Sequence, residues 1–190
     1  MAYTFIDLFA GCGGLSEGFH KADNFEFVAA VEWEKEPALN LINRLETKWQ
    51  EKNASDKVLR FDIQRTAELF EGWNNDPEYG SHKGLNDIVG NKTVDIIIGG
   101  PPCQAYSIAG RVQDKNGMKD DYRNYLFESY VKVVDKYKPK IFVFENVPGM
   151  LSAKPGDIPI IERITKAFNE IGYEISNDLK NKALIDASDY

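Results

Sequence analysis

The chain has 190 residues, 43% of them hydrophobic and 28% charged, with 23 Lys and Arg against 30 Asp and Glu for a formal charge of −7. A single domain of that length buries roughly 70% of its unfolded surface, so a full apolar core forms without staples, and the composition excludes collagen-like, low-complexity and disordered classes. The acidic balance speaks against a free-standing nucleic-acid module, because phosphate contacts need clustered basic residues. Two cysteines, Cys12 and Cys103, are too few for a disulfide framework or a four-thiolate zinc site. No signal-peptide pattern opens the sequence, and no apolar run approaches the roughly 20 residues of a membrane span, so a reduced cytosolic protein with no membrane role is expected.

The first predicted element is a strand from Tyr3 to Phe9, which ends in Ala10-Gly11-Cys12-Gly13-Gly14 and is followed by a helix carrying Leu15 and Phe19. A second strand, Phe25 to Val31, stops at Glu32-Trp33, and Leu39, Leu41, Ile42, Leu45 and Trp49 then fall at helical spacing from Pro37 onward. Val58 to Phe61 reads as a short strand and Ala67 to Phe70 as a brief helix. Residues 72–92 carry Gly72, Pro77, Gly80, Gly84 and Gly90 with little periodicity and are expected to form a surface loop. Val94 to Ile98 is a β-branched run, the pattern of a strand buried on both faces, and it ends in Gly99-Gly100-Pro101-Pro102-Cys103. A helix from Asn124 to Tyr137, a strand from Lys140 to Phe144, a helix from Ile158 to Ile171 and a strand from Tyr173 complete the order.

Strands alternating with helices predict an α/β fold: a Rossmann-like, open, mostly parallel sheet with helices on both faces. Ligands in such folds bind beyond the carboxyl ends of the strands, and the unusual clusters of this sequence all lie there. Gly11-x-Gly13-Gly14 lets the backbone turn tightly and pass close to a ligand, although a plain tight turn fits the same glycines. Glu32, roughly 20 residues on, is placed to accept both hydroxyls of a ribose. Trp33 suits either an adenine or simple packing. The loop lacks the third glycine of the dinucleotide fingerprint and the Lys-Ser/Thr of a phosphate loop, which points to an adenosine-containing cofactor without a pyrophosphate.

Pro101-Pro102-Cys103-Gln104 sets a thiol on a stiff turn at a strand mouth. A lone cysteine is more often a small buried hydrophobe, but nothing at that position calls for one. Glu145 in Glu145-Asn146-Val147 ends the next strand, where a carboxyl serves either as a catalytic acid or as a cap for the following turn. A nucleophile, an acid and an adenosine pocket together describe an active site. A non-catalytic nucleotide-binding scaffold, which would be expected to have lost Cys103 or Glu145, and an NAD-dependent oxidoreductase are the alternatives.

Phe5-Ile6-Asp7-Leu8-Phe9-Ala10-Gly11-Cys12-Gly13-Gly14-Leu15, Gly99-Gly100-Pro101-Pro102-Cys103-Gln104-Ala105-Tyr106-Ser107 and Phe144-Glu145-Asn146-Val147 resemble, in order, the signature motifs of DNA (cytosine-5) methyltransferases. Asp62-Ile63 and Asp121-x-Arg123-x-x-Leu126-Phe127 resemble lesser motifs of that family, with Phe61 where glycine is usual and Tyr106 where Phe is commoner. The resemblance implies S-adenosylmethionine as methyl donor, leaving as S-adenosylhomocysteine, with no metal. It implies a cofactor site of Phe9, Gly11, Gly13, Gly14, Glu32, Trp33, Asp62, Ile63, Pro102 and Leu126, and catalysis by Cys103, Glu145 and Asn146. The stretch from Ala105 to Asp120 resembles a loop that closes over duplex DNA, with Gln104, Ser107, Arg111 and Lys115 as its contacts. The family continues with a Gln-x-Arg-x-Arg motif, a target-recognition domain and a returning helix, whereas Ala187-Ser188-Asp189-Tyr190 resembles the residues just before that motif. Residues 1–190 are thus expected to be an incomplete cofactor-binding and catalytic domain, a fragment or one half of a split enzyme. They are expected to be inactive alone, to need a complementary C-terminal part for DNA affinity, and to serve restriction-modification or regulation in a bacterial cytosol or nucleoid.

Overall fold

A computed structural model describes residues 2–102, 125–154, 158–176 and 178–185. The chain divides into two compact units, Met1–Pro101 with Lys132–Glu145, and Pro102–Val131 with Asn146–Tyr190.

The first unit is built on strands β1 (Tyr3–Leu8), β2 (Phe25–Glu32), β3 (Val58–Arg60), β6 (Ile96–Gly99) and β7 (Ile141–Phe144), in the order β3-β2-β1-β6-β7 with every pairing parallel. Burial on both faces makes these strands near-continuous apolar runs, since alternate side chains must each find a core. Phe5, Ile96 and Ile98 pack on one side with Leu15 and Phe19 of α1 (Gly14–Lys21), Ala38, Leu41 and Leu45 of α2 (Lys35–Thr47) and Ala54 of α3 (Ala54–Lys57). Ile6, Leu8 and Ile97 alternate to the other side and are fully buried. Leu69 of α4 (Thr66–Glu71) and Leu85 of α5 (Leu85–Val89) are buried as well, and α5 contacts β2. The helix α6 (Leu126–Tyr137) passes from one unit to the other, and within the first its Tyr137 hydroxyl donates to Asn86 Oδ1 of α5 at 3.1 Å.

Register at the lower edge is set by a buried polar knot. Thr4 N–H donates to Asp95 Oδ2 and Asp95 N–H to Thr4 Oγ1, both at 3.0 Å, while Lys140 Nζ lies 2.7 Å from Asp95 Oδ1. The Lys140 ammonium and the Thr4 N–H hold the Asp95 carboxyl below the usual carboxylate range. A one-residue slip of β6 would break this set, and the starts of β1, β6 and β7 are pinned together.

Residues 72–92 are not a loop. They form an antiparallel hairpin, β4 (Gly72–Asp76) and β5 (Gly80–Lys83), followed directly by α5. The glycines that suggested a loop are its corners: Gly72 and Gly80 have φ of 93° and 71°. Trp73 pairs with His82 across the ladder and stacks on Phe61 at 3.8 Å between centroids, so one aromatic column holds the hairpin to the end of β3.

In the second unit α7 (Ile160–Glu170) buries Ile160, Ile164 and Phe168 on one stripe, and Phe168 meets Tyr130 edge-on at 6.1 Å. A 3₁₀ turn, Pro148–Ser152, precedes it and a short helix α8 (Leu179–Lys182) follows. The expected strand from Tyr173 is not formed: Gly172 takes φ of 92° and the Tyr173 N–H caps α7 at Phe168 O, 3.0 Å away. Among the described residues no helix is long and apolar enough to cross a membrane.

The hairpin's junction to α5 turns on Gly84. A Cβ there would sit 2.1 Å from Phe70 O and 2.4 Å from Gly72 N, both backbone atoms that cannot step aside. Gly84→Ala is expected to cost more than about 2 kcal/mol in urea denaturation, with no such loss for Gly18→Ala, where the added methyl meets nothing.

Candidate active site at the carboxyl ends of the strands

The loop after β1 is an unusual piece of backbone. Phe9, Gly11 and Gly13 all have positive φ, at 57°, 55° and 85°, and Gly13 N–H closes the turn on Ala10 O at 2.8 Å. The two glycines answer different needs. A Cβ on Gly13 would strike Leu41 Cδ1 at 2.7 Å, whereas one on Gly11 would meet only open space, so Gly11 is there for its conformation. Gly14 opens α1.

Glu32, the last residue of β2, holds this loop. Its Oε2 accepts from Gly11 N–H and its Oε1 from Glu34 N–H, each at 2.7 Å, and the side chain is buried. The residue expected to receive a ribose is thus first a brace for the glycine turn, with lone pairs left on both oxygens for a ligand. Arg44 of α2 clamps the same turn from outside, donating to Cys12 O at 3.1 Å and to Glu17 Oε2 at 2.6 Å. Lys48, together with Arg44, holds the Glu17 carboxyl down at about 2.

Asp7 lies beneath the loop and was assigned no role from sequence, although a lone acid in an apolar strand is a legible signal. Its Oδ2 accepts from Ser16 Oγ while Oδ1 is buried with no hydrogen-bond partner. Burial pushes its pKa up to about 7 against the Ser16 hydrogen bond, and the nearby Glu32 pushes the same way.

Further along the strand ends, Trp33 is 42% exposed and its Nε1 donates to Tyr79 Oη at 2.8 Å. Asp62, just past β3, caps its own turn by accepting from Gln64 N–H at 2.9 Å, and Ile63 is buried. At β7, Glu145 N–H donates to Gly99 O at 2.9 Å, and a Cβ on Gly100 would fall 2.6 Å from Glu145 Oε2. Gly100 is what makes room for that carboxylate.

The first unit therefore brings Phe9, Gly11, Gly13, Gly14, Glu32, Trp33, Asp62, Ile63 and Glu145 to one end of one sheet. Pro102, Leu126 and Asn146 belong to the second unit, where Leu126 is buried and Asn146 Oδ1 accepts from Val147 N–H at 2.9 Å. Cys103, Gln104, Ser107, Arg111 and Lys115 lie outside the described residues.

Residues 3–190 match the family profile of the C-5 cytosine-specific DNA methylases. The chain belongs to that family. It is 40% identical to the type II methyltransferase M.Bpa9945I of Bacillus paralicheniformis, covering 90% of this chain and 46% of that protein. It is 32% identical to the type II methyltransferase M1.HphI of Haemophilus parahaemolyticus, covering 96% and 42%. The chain thus spans less than half the length of either. Among solved structures it resembles a protein described as a DNA modification methyltransferase of an E. coli prophage, at 25% identity and a TM-score of 0.58 over 89% of this chain and 38% of that one. The methyltransferase fold is therefore shared.

The buried Asp7 gives a test of the loop's electrostatics. A carboxyl whose folded pKa is raised from 3.8 to about 7 contributes stability at low pH that is lost as pH rises through the folded value. Asp7 should take on the order of 2 kcal/mol from the unfolding free energy between about pH 5 and about pH 8, a range in which Asp95 stays charged and His20, whose pKa burial lowers, contributes a slope of opposite sign. Asp7→Asn should flatten that slope in urea titrations, and an unchanged slope would show that another group titrates.

Proposed function

We propose that this chain is the cofactor-binding and catalytic part of a DNA (cytosine-5) methyltransferase that takes its methyl group from S-adenosylmethionine. The observation that carries the cofactor is the bond from Gly11 N–H to Glu32 Oε2 at 2.7 Å. In a dinucleotide site the loop N–H groups face a pyrophosphate; here the Glu32 carboxylate already occupies that donor. Such an acidic floor repels phosphates and favours a ligand with positive charge and an adenosine end, as a sulfonium amino acid adenosine has. The residues fit that group: Glu32 has acceptors left for ribose hydroxyls, the space above Gly11 is open, and Asp7 Oδ1 lacks a donor that an ammonium provides. The same bond weighs against an NAD-dependent oxidoreductase.

Carbon-5 of cytosine is too weak a nucleophile to take a methyl group unaided. On this reading the Cys103 thiolate adds to carbon-6, and Glu145 holds a proton at ring nitrogen-3, so that the ring becomes an enamine with its electron pair at carbon-5. S-adenosylmethionine, when bound, supplies the electrophilic methyl group. Loss of the carbon-5 proton and expulsion of the thiolate then restore the aromatic ring and the free enzyme. Asn146 and Pro102 flank the two catalytic residues and would hold them in place. Neither face of a stacked base is open to this chemistry, so the cytosine must leave the duplex, with Gln104, Ser107, Arg111 and Lys115 meeting the DNA. The names of the relatives favour restriction-modification as the setting.

Calorimetry with S-adenosylhomocysteine tests the cofactor half. Wild type should bind and Glu32→Gln, which keeps the size of the side chain but loses one carboxylate oxygen, should bind at least about tenfold more weakly. Equal affinities would remove Glu32 from the site. The catalytic half is tested on DNA carrying 5-fluorocytosine, whose fluorine cannot leave as a proton does. With a complementary C-terminal part supplied, wild type should form a denaturation-resistant adduct and Cys103→Ser none. The chain alone should give neither adduct nor tritiated-methyl transfer, because an acidic chain offers few phosphate contacts.

A further inference from the structure

We propose that Tyr79, on the turn of the β4–β5 hairpin, is a positioning residue of the cofactor pocket: its hydroxyl sets the orientation in which the Trp33 indole stacks on adenine. This rests on the reading of Trp33 as the adenine contact. The structure adds the hairpin, where the sequence predicts a surface loop.

An indole has one polar atom, so a single hydrogen bond fixes its rotation about the bond to Cβ. Trp33 spends that atom on Tyr79 Oη at 2.8 Å, a link across 46 positions of sequence. An orienting group must itself be held, and Tyr79 is. Asp76 Oδ1 accepts from both Glu78 N–H and Tyr79 N–H at 2.9 Å, and Asp76 Oδ2 is paired with Arg65 Nη1 at 2.6 Å. The Tyr79 ring meets Phe61 edge-on at 5.0 Å, and the Arg60 guanidinium lies 5.1 Å from its centre. Trp73 Nε1 reaches Tyr79 O at 3.4 Å. Phe61 and Arg60 lead directly into Asp62, and burial together with Glu78 and Asp62 raises the phenol's pKa, so the hydroxyl lies within electrostatic range of that second adenine-side residue. The hairpin thereby adds links to the ends of β2 and β3, which already pair in parallel with Glu32 opposite Arg60: Tyr79 Oη to Trp33, and the Glu78 carbonyl to Arg60 Nη1 at 2.8 Å.

The lost acceptor of an exposed indole is replaced by water, so what Tyr79→Phe removes is orientation more than a hydrogen bond. Affinity for S-adenosylhomocysteine should weaken about three- to tenfold, with the urea midpoint unchanged. The test combines this titration with ¹⁵N spectra of the three indole N–H groups of the chain. Tyr79→Phe should move the Trp33 resonance upfield, and in a Trp33→Phe background it should cause no further loss of affinity. Additive losses, or a Tyr79→Phe protein that binds like wild type while Trp33→Phe binds weakly, would overturn the proposal. If wild type itself fails to bind at millimolar ligand, the cofactor reading falls and this one with it. If Trp33→Phe binds as wild type does, only the adenine role of Trp33, and so of Tyr79, is lost.

Discussion

The carboxylate of Glu32 is the constraint on which the site depends. β1 and β2 run side by side in parallel, with Leu8 opposite Val31, and the chain must then leave β1 through a turn in which a phenylalanine and two glycines take positive φ. A side chain held in that region costs about 1–2 kcal/mol, so Phe9 alone is a standing load on the fold. The Gly11 N–H bonded to that buried carboxylate, worth about 1.5–3 kcal/mol, offsets it, and the Glu34 N–H on the second oxygen holds the carboxylate in place. The turn is therefore fixed before any ligand arrives, and a ligand entering it need not order the backbone.

The helix α2 completes the support from the opposite side. Leu41 fills the space that a Gly13 side chain would need, and Arg44 holds the Cys12 carbonyl outward. Arg44 holds the Cys12–Gly13 peptide by its carbonyl and Glu32 holds the Ala10–Gly11 peptide by its amide, so the two residues fix different peptide units of the same turn. Arg44 lies beside the buried stripe of Ala38, Leu41 and Leu45, where its guanidinium reaches a loop far earlier in sequence.

Much of this was legible in the sequence. The parallel strands announced themselves as apolar runs ending in glycine or acid, and their alternation with helical stripes was sufficient for the fold class. Glu32 stands out by its distance from the glycine loop as a candidate ribose contact, but its bracing role does not, because a hydrogen bond to a backbone amide leaves no mark on residue type. Residues 72–92 were misread for a related reason. Glycines at hairpin corners and at a tight backbone crossing look the same in sequence as glycines in a loop, and the signal that separates them, Trp73 stacking on Phe61, is a contact between segments. Asp7 could have been assigned, since an acid inside a buried strand demands a reason. The strand expected from Tyr173 failed because one N–H was already committed to a helix end.

The charges gathered at the strand ends bear on how a nucleic acid would be met. Glu32, Asp62 and Glu145 lie at or just beyond the carboxyl ends of β2, β3 and β7. For a cationic methyl donor these carboxylates are an attraction, and for DNA phosphates they are a barrier that salt screens only beyond about 8–10 Å. On the proposed reading both demands are met when the polymer stays outside and a single uncharged ring comes in. A base turned out of the duplex reaches the acidic floor while its phosphates remain outside. The net charge of −7, which first argued against nucleic acid, is then the charge of a surface built to receive a cation and a base, with phosphate affinity left to other residues.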